Sequence, residues 1–359
     1  MTEARHGSPA MAGIETMFVP SGDPTRADTF VRHDGRSAGA PVLFVHGNVS
    51  DSVFWEETML ALPAGVRGLA ADLRGFGGTE PLPIDATRGL RDFSDDLAAL
   101  LDALEIDAVH LAGWSMGGGV VMRLLIDHPS RVASLTLVNP VSPYGFGGTR
   151  ADGSLLAPDG AGSGGGTANP EFVARIAAHD SAGTDAASPR GVMNTFYFAS
   201  VPDGVRDEAF VESMLSTRIG TDFYPGDQVP SETWPGTAPG GRGVLNTMAP
   251  THCNLTGIVD ADPKPPVLWV HGSADQIVSD ASMFDLAVLG RLGAIPGWPG
   301  EDVVPPQPMV SQTRDVLDRY RSDGGRVEEV VVEGAGHSPH IERPDEFRAA
   351  LFGFLTASA

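Results

Sequence analysis

Short, largely apolar runs alternate along this chain with stretches whose apolar positions recur every three to four residues. Residues 41–45, 68–71, 108–112, 132–138, 267–270 and 327–332 are of the first kind. Runs of that length without alternation suit strands of a parallel sheet that is covered on both faces. Residues 93–104 are of the second kind, with Leu97, Leu100, Leu101 and Leu104 at helical spacing. Residues 117–127 also read as a helix, which ends near Pro129. The alternation predicts an α/β fold: a mostly parallel central sheet with helices on both faces. Residues 15–19 and 29–32 predict an antiparallel entry hairpin.

The pattern breaks between Val141 and Pro266. Residues 145–166 are rich in Gly, Ser, Ala and Asp, which predicts a flexible loop. Residues 173–178 and 210–215 read as short helices, and residues 234–243 return to Pro and Gly. Because the strand pattern resumes afterwards, residues 141–262 read as an insertion, a lid, in a core made of residues 1–140 and 263–359. A second long connection, residues 290–308, contains Gly-Trp-Pro-Gly and Pro-Pro. Connections of that length inside a compact domain are often functional.

The 359 residues, 42% hydrophobic, suffice for one large core or for one domain with an insertion. The formal charge of −22 argues against a nucleic acid as partner, because phosphate binding needs clustered Lys and Arg. It disfavours an anionic membrane surface for the same reason. The lone cysteine, Cys253, forms no internal disulfide. Its position beside His252 could suggest a thiol nucleophile, but it reads better as a small buried apolar residue. Residues 1–20 carry no charged start followed by an apolar run, so no signal peptide is expected. No stretch approaches the roughly 20 apolar residues of a membrane span. The expected location is the cytoplasm.

The chemistry centres on Gly113-Trp114-Ser115-Met116-Gly117, placed after a predicted strand and before a predicted helix. In that context glycines permit a tight turn that lifts the serine hydroxyl above the sheet edge. The helix behind it favours developing negative charge. Serine needs a base. His337, in Gly334-Ala335-Gly336-His337, follows the last predicted strand. Asp275, in His271-Gly272-Ser273-Ala274-Asp275, follows the strand before it. Catalytic groups of open α/β sheets collect at these carboxyl ends. Asp275 would then fix the tautomer of His337. His340 is a competing base. Asp280, Asp302, Glu333, Asp260 and Asp262 are competing carboxylates, of which Asp260 and Asp262 are the strongest substitutes. The backbone N–H groups of Met116 and Asn48 are candidate oxyanion donors. His46 reads as an anchor of its loop. Trp114, Phe196, Tyr197 and Trp234 are candidate substrate-binding residues, drawn from the aromatic side chains around the nucleophile and in the insertion.

Together these residues resemble the α/β-hydrolase superfamily. The matching pieces are His46-Gly47-Asn48, the segment from Asp72 to Gly77, the serine motif, the segment from His271 to Val278, and Gly336-His337. The resemblance implies an α/β-hydrolase fold, a lid formed by the insertion after the sixth strand, and a structural role for residues 72–77. The His46-Gly47-Asn48 loop is similar to that of haloalkane dehalogenases, which place an aspartate where this chain has Ser115. A serine there favours acyl transfer to water. The expected function is hydrolysis of a carboxylic ester or lactone, with no metal and no organic cofactor, acting on a small apolar molecule. An amidase or aminopeptidase, a carbon–carbon bond hydrolase and a ligand receptor on the same scaffold stay open, as does assembly into a homo-oligomer. For a peptidase, Glu171, Asp207, Glu208 and Glu212 are available to pair with a substrate amine.

Overall fold

The computed structural model describes residues 9–358. Its centre is one eight-stranded sheet. The strands are β1 (Glu15–Val19), β2 (Thr29–His33), β3 (Ala40–Val45), β4 (Val66–Ala71), β5 (Val109–Trp114), β6 (Val132–Val138), β7 (Val267–Gly272) and β8 (Val327–Val332). They lie in the order β1-β2-β4-β3-β5-β6-β7-β8. The hairpin β1–β2 is antiparallel and β2 runs antiparallel to β4; every other neighbouring pair is parallel. All six residues of β5 and of β7 are buried, which is why they read as continuous apolar runs.

Among the described residues ten α-helices accompany the sheet: α1 (Glu56–Leu60), α2 (Arg91–Ala103), α3 (Met116–Asp127), α4 (Pro170–Ala177), α5 (Pro189–Val192), α6 (Asp207–Leu215), α7 (Leu286–Arg291), α8 (Met309–Ser322), α9 (Pro339–Glu342) and α10 (Pro344–Ala357). Helices α2 and α3 pack on each other, and α3 joins α8 through the short turn Thr256–Asp260. Helices α1 and α10 meet through Arg348, which donates to the Glu57 carbonyl at 3.1 Å. Among the described residues no helix is long and apolar enough to cross a membrane.

Residues 141–262, between β6 and β7, hold α4, α5, α6 and two short two-stranded ladders. The glycine-rich stretch expected to be flexible has no helix or strand, but it is tied down. Gln312 on α8 donates to Thr149 Oγ1 at 3.0 Å and to the Arg150 carbonyl at 2.7 Å, and its own carbonyl oxygen accepts from Ser142 at 2.7 Å. Thr149, Ala157, Ala161 and Ser163 are buried. Composition foretold the irregular backbone but not these long-range anchors. Residues 290–308 pack against the insertion through Trp234, whose indole donates to the Pro296 carbonyl at 3.0 Å.

Candidate active site

The turn between β5 and α3 concentrates backbone strain at Ser115, with φ 57° and ψ −121°. Such a conformation in a non-glycine residue costs about 1–3 kcal/mol and persists only where packing enforces it. The flanking glycines do not carry that strain. They are needed for close approach: a Cβ on Gly113 would sit 2.3 Å from the Gly117 carbonyl oxygen, and one on Gly117 would sit 2.4 Å from the carbonyl oxygens of His46 and Val45. The glycines thus permit the tight turn, as expected, by allowing this approach, while the positive φ falls on Ser115 itself. Ser115 N–H donates to the Val138 carbonyl at 2.9 Å, which pins the turn to β6. Met116 opens α3, where a first helical N–H has no partner within the helix.

His337 follows β8 and is buried at 2% exposure. Its Nδ1 lies 2.8 Å from Asp275 Oδ2. An ionised carboxylate only accepts, so Nδ1 carries the proton and Nε2 keeps its lone pair. The Asp275 carboxylate is itself held. Its Oδ1 accepts the N–H of Ile277 at 2.7 Å and of Val278 at 3.2 Å, and its Oδ2 accepts a second side-chain bond from Asn139 Nδ2. Asn139, with φ 40°, ends β6 and also accepts from Gly272 N–H at 3.3 Å. Sequence reasoning missed it; the signal was a polar Asn-Pro directly after an apolar strand.

The competing groups are accounted for elsewhere. Asp280 accepts from the N–H groups of Val310 and Ser311 at 2.8 and 3.0 Å, at the start of α8. Glu333 accepts from Ser273 Oγ at 2.9 Å, and Asp260, Asp262 and Asp302 are exposed. His340 is buried face to face with Trp55, ring centroids 4.4 Å apart, and neither ring nitrogen has a hydrogen-bond partner. Burial, with His337 nearby, pushes its pKa down to about 3. His46 is likewise buried. Its Nε2 accepts from Leu73 N–H at 2.9 Å and its Nδ1 donates to the Gly47 carbonyl at 2.7 Å, so it anchors the loop. Burial lowers its pKa to about 4. Asp72 caps the same region, accepting from Ser52 N–H at 2.9 Å and Gly78 N–H at 2.8 Å. Burial and the nearby Asp51 raise its carboxyl above the usual range. Cys253 is buried and its thiol is pushed up to about 12, which makes it inert.

Ser115, His337, Asn48 and Trp114 line one cavity of about 350 Å³. Its other walls come from the insertion (Phe146, Phe172, Val192, Phe196, Tyr197, Tyr224, Leu245, Met248) and from the segment after β7 (Ile277, Val278, Met283, Phe284, Leu286, Leu289). Among the described residues no Asp, Glu, Lys or Arg lines it. Trp234 does not line it either, contrary to expectation: its ring packs towards Gly290 and Gly297 in the long connection. Phe210 stacks on Phe54 at 4.2 Å, Phe198 is buried, and Phe223 lies over Gly75, so these three serve packing. Tyr197 lines the cavity with its ring, but its hydroxyl is engaged by the Asn48 and Val49 carbonyls. Among the described residues no group of three His, Cys, Asp or Glu could hold a metal ion.

With fold and site in view, the comparisons with known proteins agree on one fold family. The profile of the alpha/beta hydrolase fold family matches residues 40–297, and the chain belongs to that family. It is 38% identical over 109 residues to 2-hydroxymuconate semialdehyde hydrolase of Pseudomonas sp. strain CF600, covering 30% of this chain and 38% of that protein. It is 38% identical over 118 residues to the dihydrolipoyllysine-residue acetyltransferase component of the acetoin cleaving system of Cupriavidus necator, covering 33% of this chain and 30% of that protein. The alignments thus span about two fifths or less of these curated relatives' lengths. Among solved structures, the esterase EaEST of Exiguobacterium antarcticum superposes with a TM-score of 0.58 at 16% identity, covering 95% of this chain and 100% of that one.

Proposed function

We propose that this protein is a serine hydrolase that cleaves an uncharged carboxylic ester or lactone. The observation that carries the reading is the cavity. Ser115 and His337 line it together, His337 Nδ1 is 2.8 Å from Asp275 Oδ2, and among the described lining residues there is no Asp, Glu, Lys or Arg. Ser115 Oγ attacks the ester carbonyl while His337 Nε2 takes the hydroxyl proton. The N–H groups of Met116 and Asn48 stabilise the oxyanion. The carbon–oxygen bond then breaks, and His337 returns the proton to the departing alcohol. Water attacks the acyl-enzyme with His337 again as base, releasing the acid and restoring Ser115. Asp275 holds the tautomer and balances the imidazolium. In this reading residues 141–262 act as a lid that sets which acyl and alcohol groups fit, and the chain works in the cytoplasm.

The charge-free wall favours this over the alternatives on the same triad. An aminopeptidase needs a carboxylate for the substrate amine. Glu171 pairs instead with Arg175, and Asp207 and Glu208 pair with Arg190. Glu212 is exposed and does not line the cavity. An anionic substrate, such as the semialdehyde that the Pseudomonas relative is named for, would need a cation, and among the described lining residues there is no Lys or Arg. A panel of p-nitrophenyl esters, lactones, aminoacyl anilides and carboxylated dienes tests the reading. Turnover of neutral esters or lactones alone supports it; preference for anilides or carboxylated dienes contradicts it.

A further inference from the structure

We propose that Tyr197 and Glu342 are positioning residues that lock the oxyanion loop and the base loop to the lid. The proposal rests on the serine-hydrolase reading above. Tyr197 ends a π-helical turn, Met193–Tyr197, in the insertion. Turns of this kind inside helical segments are frequent at functional sites. Its hydroxyl lies 3.1 Å from the Asn48 carbonyl and 3.0 Å from the Val49 carbonyl, and its one proton is shared between them. Val49 has φ 50°, a left-handed conformation that a β-branched residue resists. The hydroxyl thus restrains the two carbonyls that flank this strained residue. Peptide units are rigid planes, so holding those carbonyls fixes the Val49 and Ser50 N–H groups. Across the Asn48 Cα it restrains the neighbouring unit that carries the Asn48 N–H, whose own carbonyl, that of Gly47, accepts from Ser50 Oγ at 2.9 Å.

The same residue reaches the base. The Tyr197 carbonyl accepts from Ser338 N–H at 3.0 Å, directly after His337. Glu342 then clasps both sides of this joint. Its carboxylate accepts Gly336 N–H at 2.8 Å, on the base loop, and the N–H groups of Ala199 and Ser200 at 3.1 Å each, on the lid. The approach is close enough that a Cβ on Gly336 would sit 2.5 Å from Ala199 N. Glu342 is 4% exposed, so these donors compensate a carboxylate largely withdrawn from water. Neither group touches the reacting atoms. Both connect one lid segment to the two loops that carry the chemistry, so a well-seated lid and a well-formed site are one state.

The test is Tyr197→Phe, which keeps the ring and removes the hydroxyl, with Glu342→Gln as a second variant. Both are assayed on a neutral p-nitrophenyl ester well below their melting temperatures. A fluorophosphonate is used in parallel to follow labelling of Ser115 without any ester. Displacing a donor loop slightly is enough to cost roughly 10- to 100-fold in kcat. The expected result is a kcat and a labelling rate reduced by that factor in each variant, with KM changed by less than about 3-fold. Adding Val49→Gly, which accepts the left-handed conformation freely, should recover part of the loss in Tyr197→Phe and none in Glu342→Gln. Lower melting temperatures with unchanged kcat and labelling would overturn the proposal. A wild-type protein that labels at Ser115 but hydrolyses no ester would contradict the substrate reading alone, and the labelling rates would still decide this one.

Discussion

Asp275 presents a single carboxylate oxygen, Oδ2, to His337 Nδ1 at 2.8 Å while Asn139 donates to the same atom from the end of β6. Three consecutive places in the sheet, β6, β7 and β8, therefore meet in one hydrogen-bonded unit at its carboxyl edge. The His337 ring is oriented by a carboxylate that two backbone N–H groups and one amide already hold still.

That arrangement makes Asp275→Asn informative. The substituted amide either puts its NH2 at the Oδ2 position, donor against donor with Asn139 and with His337 in the wrong tautomer, or turns it against the N–H groups of Ile277 and Val278. The account expects kcat on esters to fall by about 10⁴-fold, the size of the wrong-tautomer effect in serine proteases, with an unchanged circular dichroism spectrum. Asp280→Asn, at the start of α8, should keep wild-type turnover to within a few-fold. Comparable losses in both variants would mean that Asp275 is not the orienting group.

Two buried histidines make the fold acid-sensitive. His340, at about 3, and His46, at about 4, titrate far below the ordinary value of 6.5 in the folded chain. The unfolded chain therefore takes up their protons first as the pH falls. Their contribution is complete above pH 6.5 and is lost as the pH drops from there towards 4 and 3. Each costs up to about 1.4 kcal/mol per pH unit within its window. Melting temperatures at pH 7.5, 6, 5 and 4.5 should fall steeply below 6. His340→Leu, which buries no titrating ring, should flatten the slope. An equal slope in wild type and variant would contradict this.

The cavity mouth should set tolerance for bulk. Phe196 and Phe284 meet edge to face at 5.0 Å, one from residues 141–262 and one from the segment after β7. Phe284 is 39% exposed. Phe284→Ala or Phe196→Ala should raise kcat/KM for esters with bulky acyl groups relative to acetate, while Trp234→Ala should leave that ratio unchanged. The ratio measured across acetate, butyrate and benzoate esters checks both statements, and a shift in Trp234→Ala alone would reverse them.

Much of the sheet was legible because its central strands are covered on both faces, so burial wrote itself into β3 and β5 to β7 as largely apolar runs, whereas β8 at the sheet edge is partly exposed and carries Glu328 and Glu329. The positions of Ser115, Asp275 and His337 followed from their places at strand ends. What the sequence hid is what depends on chain segments far apart. Trp234 sits in a Pro- and Gly-rich stretch with no period, so nothing in its neighbours showed that it faces residues 290–298 rather than the cavity. Asn139 and Glu342 act through partners 136 and 143 residues away. The glycine-rich segment looked free because its anchors, Gln312 and Gln307, whose amide donates to the Gly145 carbonyl at 3.1 Å, lie beyond β7 in the chain. His340 looked like a rival base because its burial against Trp55 leaves no local trace.

The most direct test of the central claim is single-turnover labelling of Ser115 combined with ester turnover. Wild-type protein, Ser115→Ala and His337→Gln are treated with a fluorophosphonate, digested and mapped, and each is assayed on a neutral p-nitrophenyl ester. The account predicts one phosphonylated peptide, bearing Ser115, in the wild type. It predicts no adduct in Ser115→Ala, and at most slow labelling in His337→Gln. Turnover in both variants should be lower by several orders of magnitude, with folding intact. Near-normal turnover by Ser115→Ala, or an adduct on any other residue of the active wild type, would contradict it.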